Sequence, residues 1–147
     1  MSELHKMSHE DFELAGFTPY LLNQAAEAQS LVFSKIYKDR YGMLRTEWRV
    51  LFHLGRYGEM TAKEISESAM IHKTKISRAV RDLEVKRFLA REVIETDRRV
   101  ERLTLRPPGK DAFDYLVRAA ADYEDRLAAR LGSGEAQLLK RLLKKLG

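Results

Sequence analysis

Apolar residues recur at three- and four-residue steps along most of this chain, and only between about residues 88 and 105 does the period drop to two. After a polar, aperiodic lead-in of about eleven residues, Leu22, Ala25, Ala26, Gln29, Val32, Phe33 and Ile36 predict a long amphipathic helix. Thr18-Pro19 marks its start, because threonine accepts from free first-turn N–H groups and proline at the first helical position gives up no needed bond. It should end near Tyr41-Gly42. Thr46 is expected to cap a second helix, EWRVLFHLGRY, which should be mostly buried by Trp48, Val50, Leu51, Phe52 and Leu54 and stop near Tyr57-Gly58. Thr61-Ala62-Lys63-Glu64 reads as a capping box ahead of a short helix with Ile65 and Ala69 inward. Ser68 to Ile71 leave room only for a tight turn, so that helix and the next must cross steeply.

Around residue 88 Phe88, Ala90 and Glu92 alternate with Leu89, Arg91 and Val93. A charged ETDRR segment follows, and then Val100, Leu103 and Leu105 alternate with polar neighbours. Two strands joined by a polar tip, Glu95 to Arg99, are predicted. Pro107-Pro108-Gly109 closes the hairpin and opens a fifth helix with Phe113, Leu116, Val117, Ala120, Tyr123 or Glu124, Leu127 and Leu131 on its stripe. Gly132-Ser133-Gly134 breaks that helix, and a last one from about Glu135 carries Leu138, Leu139, Leu142, Leu143 and Leu146 on one side. So many leucines on so short a helix exceed what a small interior covers, and burial between two subunits is expected.

The fourth helical segment, IHKTKISRAVRDLE, has two unlike faces. At 100° per residue, Ile76, Ala79, Val80 and Leu83 share one stripe, whereas Thr74, Ser77, Arg78 and Arg81 fall on the far side. A solvated helix would mix both charges at i,i+4 spacing, and here the acids Asp82 and Glu84 are displaced to the edges. Arginine reads guanine edges through two parallel hydrogen bonds, and hydroxyls and helix N-termini hold phosphates. A buried helix, a capped short helix, a tight turn, a basic-faced helix and an arginine-tipped hairpin form the order of a winged helix-turn-helix. The fold class is therefore mainly α with a small β-hairpin wing. Arg98 and Arg99 are placed to enter a minor groove, and Asp97 is expected to orient one guanidinium by a bidentate ion pair.

Composition narrows the function classes. A chain of 147 residues holds one ordinary domain. The net charge of +5 is concentrated in residues 71–87, where Lys73, Lys75, Arg78, Arg81, Lys86 and Arg87 face only Asp82 and Glu84. No cysteine is present, which excludes disulfides, thiolate zinc sites and cysteine nucleophiles. No apolar run is long enough for a bilayer and no export leader is evident, so a cytoplasmic location is expected. His5 and His9 have a spacing that grips zinc on a helix but lack a third ligand, and no metal or cofactor is expected. His53 reads as a helix-surface or partly buried residue, and His72 as an N-terminal cap or phosphate-facing group of the basic helix. No phosphate loop, nucleophile elbow or carboxylate pair appears, so the chain is not read as an enzyme. Tyr37, Trp48 and Arg49, with Tyr41 nearby, are candidates for an aromatic-anion pocket, and core packing accounts equally well for the tryptophan.

The runs TEWRVLFHL, TAKEIS, KTKISRAVRDLE and TDRRVERLTL, with an Asp-x-Arg wing tip at Asp97 and Arg99, resemble the MarR family of bacterial winged-helix regulators over roughly residues 30 to 110. The resemblance implies a homodimer whose N- and C-terminal helices interlock, a palindromic operator in double-stranded DNA, and repression relieved by a small, often aromatic or phenolic, anion. It implies one domain over 1–147, with dimerisation helices at 12–41 and 109–147 around a DNA-binding lobe at 43–106. The recognition helix would contribute His72, Lys73, Thr74, Lys75, Ser77, Arg78 and Arg81, and the wing Asp97, Arg98 and Arg99. Arg87-Phe88 stands where many relatives have glycine and an aliphatic residue, which calls for a different helix-to-strand turn. Arg106-Pro107-Pro108-Gly109 replaces a threonine-x-x-glycine, which should stiffen the entry to the fifth helix. The competing expectation is a winged-helix module that pairs its basic face with an acidic protein and reads no sequence.

Overall fold

The capping chemistry forms at some helix starts as expected and shifts at others. In the computed structural model, which describes residues 9–147, the Thr61 hydroxyl accepts from the Glu64 N–H at 3.1 Å, while the Glu64 carboxylate accepts from the Thr61 N–H at 3.3 Å. This box opens helix α3 (Ala62–Ala69). Helix α2 (Arg45–Tyr57) starts earlier than Thr46 predicts. Leu44 occupies the cap position, its N–H donating to Glu47 Oε2 at 3.0 Å, so the carboxylate in the first turn replaces the expected hydroxyl. Helix α1 (Thr18–Tyr41) likewise begins at Thr18, its first turn closed by the Leu21 N–H on the Phe17 carbonyl at 3.0 Å.

The chain divides into two compact units at Phe33/Ser34. In the first, a 3-10 turn (Leu14–Gly16) that the periodicity does not reveal precedes α1, and Phe12 and Phe17 meet edge to face with centroids 5.4 Å apart. Leu21, Leu22 and Val32 are exposed. His5 of the histidine pair lies outside the described residues, and among those described no cluster is placed to hold a metal.

The second unit contains the winged helix. Helix α4 (Lys73–Val85) buries Ile76, Ala79, Val80 and Leu83 against α2 and α3, whose Val50, Leu51, Leu54 and Ile65 complete the core. Strand β1 (Met60–Thr61) was hidden from the sequence, where Thr61 read only as a helix cap; it pairs antiparallel with β3 (Asp97–Leu105), which also pairs with β2 (Leu89–Ile94) in the order β1-β3-β2. Burial of Met60, Leu89 and Leu103 seats this sheet on the helices. Helix α5 (Pro107–Ala129) buries Ala112 and Leu116, and α6 (Glu135–Leu146) ends the chain. Among the described residues no helix is long and apolar enough to cross a membrane.

Two departures from the resemblance have a physical reading. Arg87 adopts φ +63°, the left-handed conformation that favours glycine, and the α4 end closes with Phe88 N–H on Leu83 O (2.9 Å) and Arg87 N–H on Glu84 O (2.9 Å), the two bonds of a Schellman motif. The turn is thus accommodated with an arginine at a cost of about 1–2 kcal/mol in backbone strain. At the entry to α5, Arg106 donates its N–H to the Phe88 carbonyl at 2.9 Å, and a methyl added at Gly109 would overlap that carbonyl oxygen. Gly109 is required by close approach of backbone to backbone.

Candidate nucleic-acid interface

The outer face of α4 has the composition read from the wheel. His72, Lys73, Thr74, Lys75, Ser77, Arg78 and Arg81 are all exposed, while Ile76, Ala79, Val80 and Leu83 are sealed beneath them. His72 Nδ1 accepts from the Thr74 N–H at 3.2 Å, so this ring caps the helix. Lys73, Lys75, Arg78 and Arg81 make no ion pair among the described residues. The acids nearby are engaged elsewhere or set aside: Glu84 accepts from Arg91 at 3.1 Å, and Asp82 is half-buried at the edge.

The helix is anchored at its far end. Lys86 donates to Glu47 Oε1 at 2.9 Å, and Glu47 is 2% exposed, so its two oxygens hold the α2 start and the α4 end at once. Sequence reasoning missed this pair because its members are 39 residues apart. Arg91 bridges Glu84 of α4 and Glu101 of β3, both at 3.1 Å, and so ties the wing base to the helix.

The wing tip is tighter than expected. Glu95 and Thr96 alone form the turn, and Asp97 to Arg99 already belong to β3, with a register shift at Val93/Ile94. Asp97 does position Arg99, though not by a bidentate pair of two parallel bonds. Its Oδ1 accepts from both the Arg99 N–H (3.1 Å) and Nε (3.3 Å), a local turn in which one oxygen serves backbone and side chain. The Arg99 side chain is 93% exposed and Arg98 is exposed beside it.

Of the pocket residues, Tyr37 and Trp48 come together as stacked rings with centroids 6.0 Å apart, and Phe52 packs edge-on to the indole at 5.5 Å. Burial raises the Tyr37 phenol above its usual range, and hydrogen-bonded Arg45 and the charge of Arg49 pull the other way. Arg45, which the sequence reading did not single out, thus acts on this phenol more strongly than Arg49. Tyr41 instead meets Phe88 and Tyr115, where the Arg40 guanidinium lies 3.8 Å from the Tyr115 centroid. His53, half-buried, donates from Nδ1 to the Arg49 carbonyl at 2.7 Å. On α6, Leu138, Leu139, Leu142, Leu143 and Leu146 are 41–65% exposed.

Residues 41–100 match the model of the MarR family. The HTH-type transcriptional regulator YwaE of Bacillus subtilis (strain 168), itself uncharacterised, is 26% identical over 106 residues, which cover 72% of this chain and 62% of the relative. The match thus spans less than two thirds of that relative's length. The solved MarR/EmrR family transcriptional regulator of Acinetobacter sp. ADP1 is 25% identical, with a TM-score of 0.79 over 92% of this chain and 95% of the other. BpsR of Bordetella bronchiseptica, whose DNA binding is described as regulated by 6-hydroxynicotinic acid, shares the fold with a TM-score of 0.82 at 20% identity, over 92% and 96% of the two chains. The winged-helix segment is thus similar to the MarR family, and the fold beyond it to that of solved regulators of this family.

Proposed function

We propose that the protein is a homodimeric, cytoplasmic transcription regulator, acting as a repressor, that binds a palindromic site in duplex DNA. Helix α4 enters the major groove with Lys73, Thr74, Lys75, Ser77, Arg78 and Arg81, and the wing places Arg98 and Arg99 in the neighbouring minor groove with Asp97 as the positioning acid. The observation that carries this reading is the set of four exposed cations along α4, none of them ion-paired among the described residues. Such a set is costly in self-repulsion unless a polyanion meets it. The leucine face of α6 supports the dimer, since a monomer would leave it in water.

Release by a small aromatic anion belongs to the same proposal. The Tyr37–Trp48 stack, with Arg45 hydrogen-bonded to the phenol and Arg49 near it, combines ring faces with positive charge. What is known of BpsR and 6-hydroxynicotinic acid supports an effector of this class.

Salt titration of binding to short duplexes tests the DNA reading. About eight phosphate contacts per dimer correspond to a slope of log affinity against log salt near −7, from about 0.9 counterions per contact. A flat dependence would refute direct DNA binding and favour the acidic-protein partner.

A further inference from the structure

A cleft of about 230 Å³ opens between α3, α4 and the wing, lined among others by Thr61, Lys63, Ser77, Arg91, Arg99 and Glu101. Its charges are unequally spent. Arg91 is held by Glu84 and by Glu101, which is the cleft's carboxylate, each at 3.1 Å. Arg99 is held by Asp97 at 3.3 Å. Lys63 is exposed and has neither ion pair nor side-chain hydrogen bond among the described residues, so the net positive charge of the cleft rests chiefly on it.

Adjacent major and minor grooves of a duplex are separated by one sugar–phosphate strand. Ser77 belongs to the helix assigned above to the major groove and Arg99 to the wing assigned to the minor groove. That strand must therefore cross the cleft between them. We infer that the cleft seats one phosphodiester of this strand, with Lys63 and Ser77 as its principal contacts and Arg99 closing the wing side. The inference rests on the DNA-binding reading and adds Lys63, a residue outside both groove contacts, as a phosphate clamp. An ammonium is a point charge with three donors and a hydroxyl adds a fourth, a donor set that holds phosphate without reading sequence.

The test uses the full chain, a duplex selected by it from a random pool, and a scrambled duplex. Lys63→Ala, at an exposed position, should weaken both duplexes by the same factor and make the salt slope shallower by about 1.8, one contact of about 0.9 per subunit. A single methylphosphonate, moved along each half-site, should weaken the wild type at every contacted phosphate, and at one of these positions the loss should be clearly smaller in Lys63→Ala than in the wild type. An unchanged slope for Lys63→Ala, or additive effects at every phosphate, overturns the clamp while leaving a steep wild-type slope to support DNA binding. A flat wild-type slope removes both.

Discussion

Removing Lys86 should cost the protein more than removing the acid it serves. Glu47 is buried, with a side chain 3% exposed, and depends on the Leu44 N–H and the Lys86 ammonium for both its oxygens. Lys86→Met strands that carboxylate in the core. Breaking a buried pair in this way costs about 3–5 kcal/mol when both members are enclosed, but the Lys86 side chain retains 28% of its surface, and solvent screening lowers the expectation to about 2–3 kcal/mol. For a chain of this length that is a fall in Tm of about 4–12 °C. Glu47→Gln preserves an acceptor for Leu44 and lets Lys86 turn to water, so it should cost about 1 kcal/mol, and the double variant should recover most of the Lys86→Met loss. Urea unfolding at fixed protein concentration, followed by far-UV circular dichroism and by the single tryptophan, Trp48, measures all four chains. A Lys86→Met cost no greater than that of Glu47→Gln, or a coupling energy below about 0.5 kcal/mol, would refute the claim that this pair anchors the end of α4.

Other changes probe separate parts of the account. Arg87→Gly should stabilise by about 0.5–1 kcal/mol, the left-handed strain relieved less the extra freedom glycine gains in the unfolded chain, and a loss of stability in urea would show that the arginine makes compensating contacts. Burial raises the Tyr37 phenol above its ordinary 10.0, so with rising pH the unfolded chain loses that proton first. Stability present below about pH 10 should then decline above it, and Tyr37→Phe should flatten the decline in thermal melts; equal slopes would assign the alkaline loss to other groups. Leu142→Lys should abolish the proposed dimer in light scattering while the helical circular dichroism of the lobe persists, whereas an unchanged mass would move the interface elsewhere.

Local signals in the sequence survived where one residue could satisfy its neighbours. The Thr61–Glu64 box, the Pro107-Pro108 helix entry and the Ile76–Leu83 stripe depend on residues within about two turns of each other, and each forms as its spacing predicts. The Thr46 cap failed because Glu47, one residue on, reaches back to Leu44 while also meeting Lys86, a partner that no local pattern reveals. Strand β1 was illegible for a similar reason: two residues carry no period, and Met60 becomes a strand only because Leu103 of β3 lies opposite it. At the wing, the Asp-x-Arg spacing correctly joined Asp97 to Arg99. What it could not settle was that one carboxylate oxygen would serve both the backbone and Nε. The exposed cations of α4 were legible because amphipathic periodicity determines both faces at once, whereas the Lys63 cleft needs three elements brought together.

The claim on which the account turns is that α4 reads base edges. Competition between the selected duplex and its scrambled counterpart, measured for the wild type, Arg78→Ala and Lys73→Ala, tests it most directly. Arg78→Ala should lose about 1–3 kcal/mol of discrimination, as one bidentate base contact requires, while Lys73→Ala weakens both duplexes alike. Equal losses on the two duplexes for Arg78→Ala would contradict readout by this helix and leave it a phosphate-binding surface.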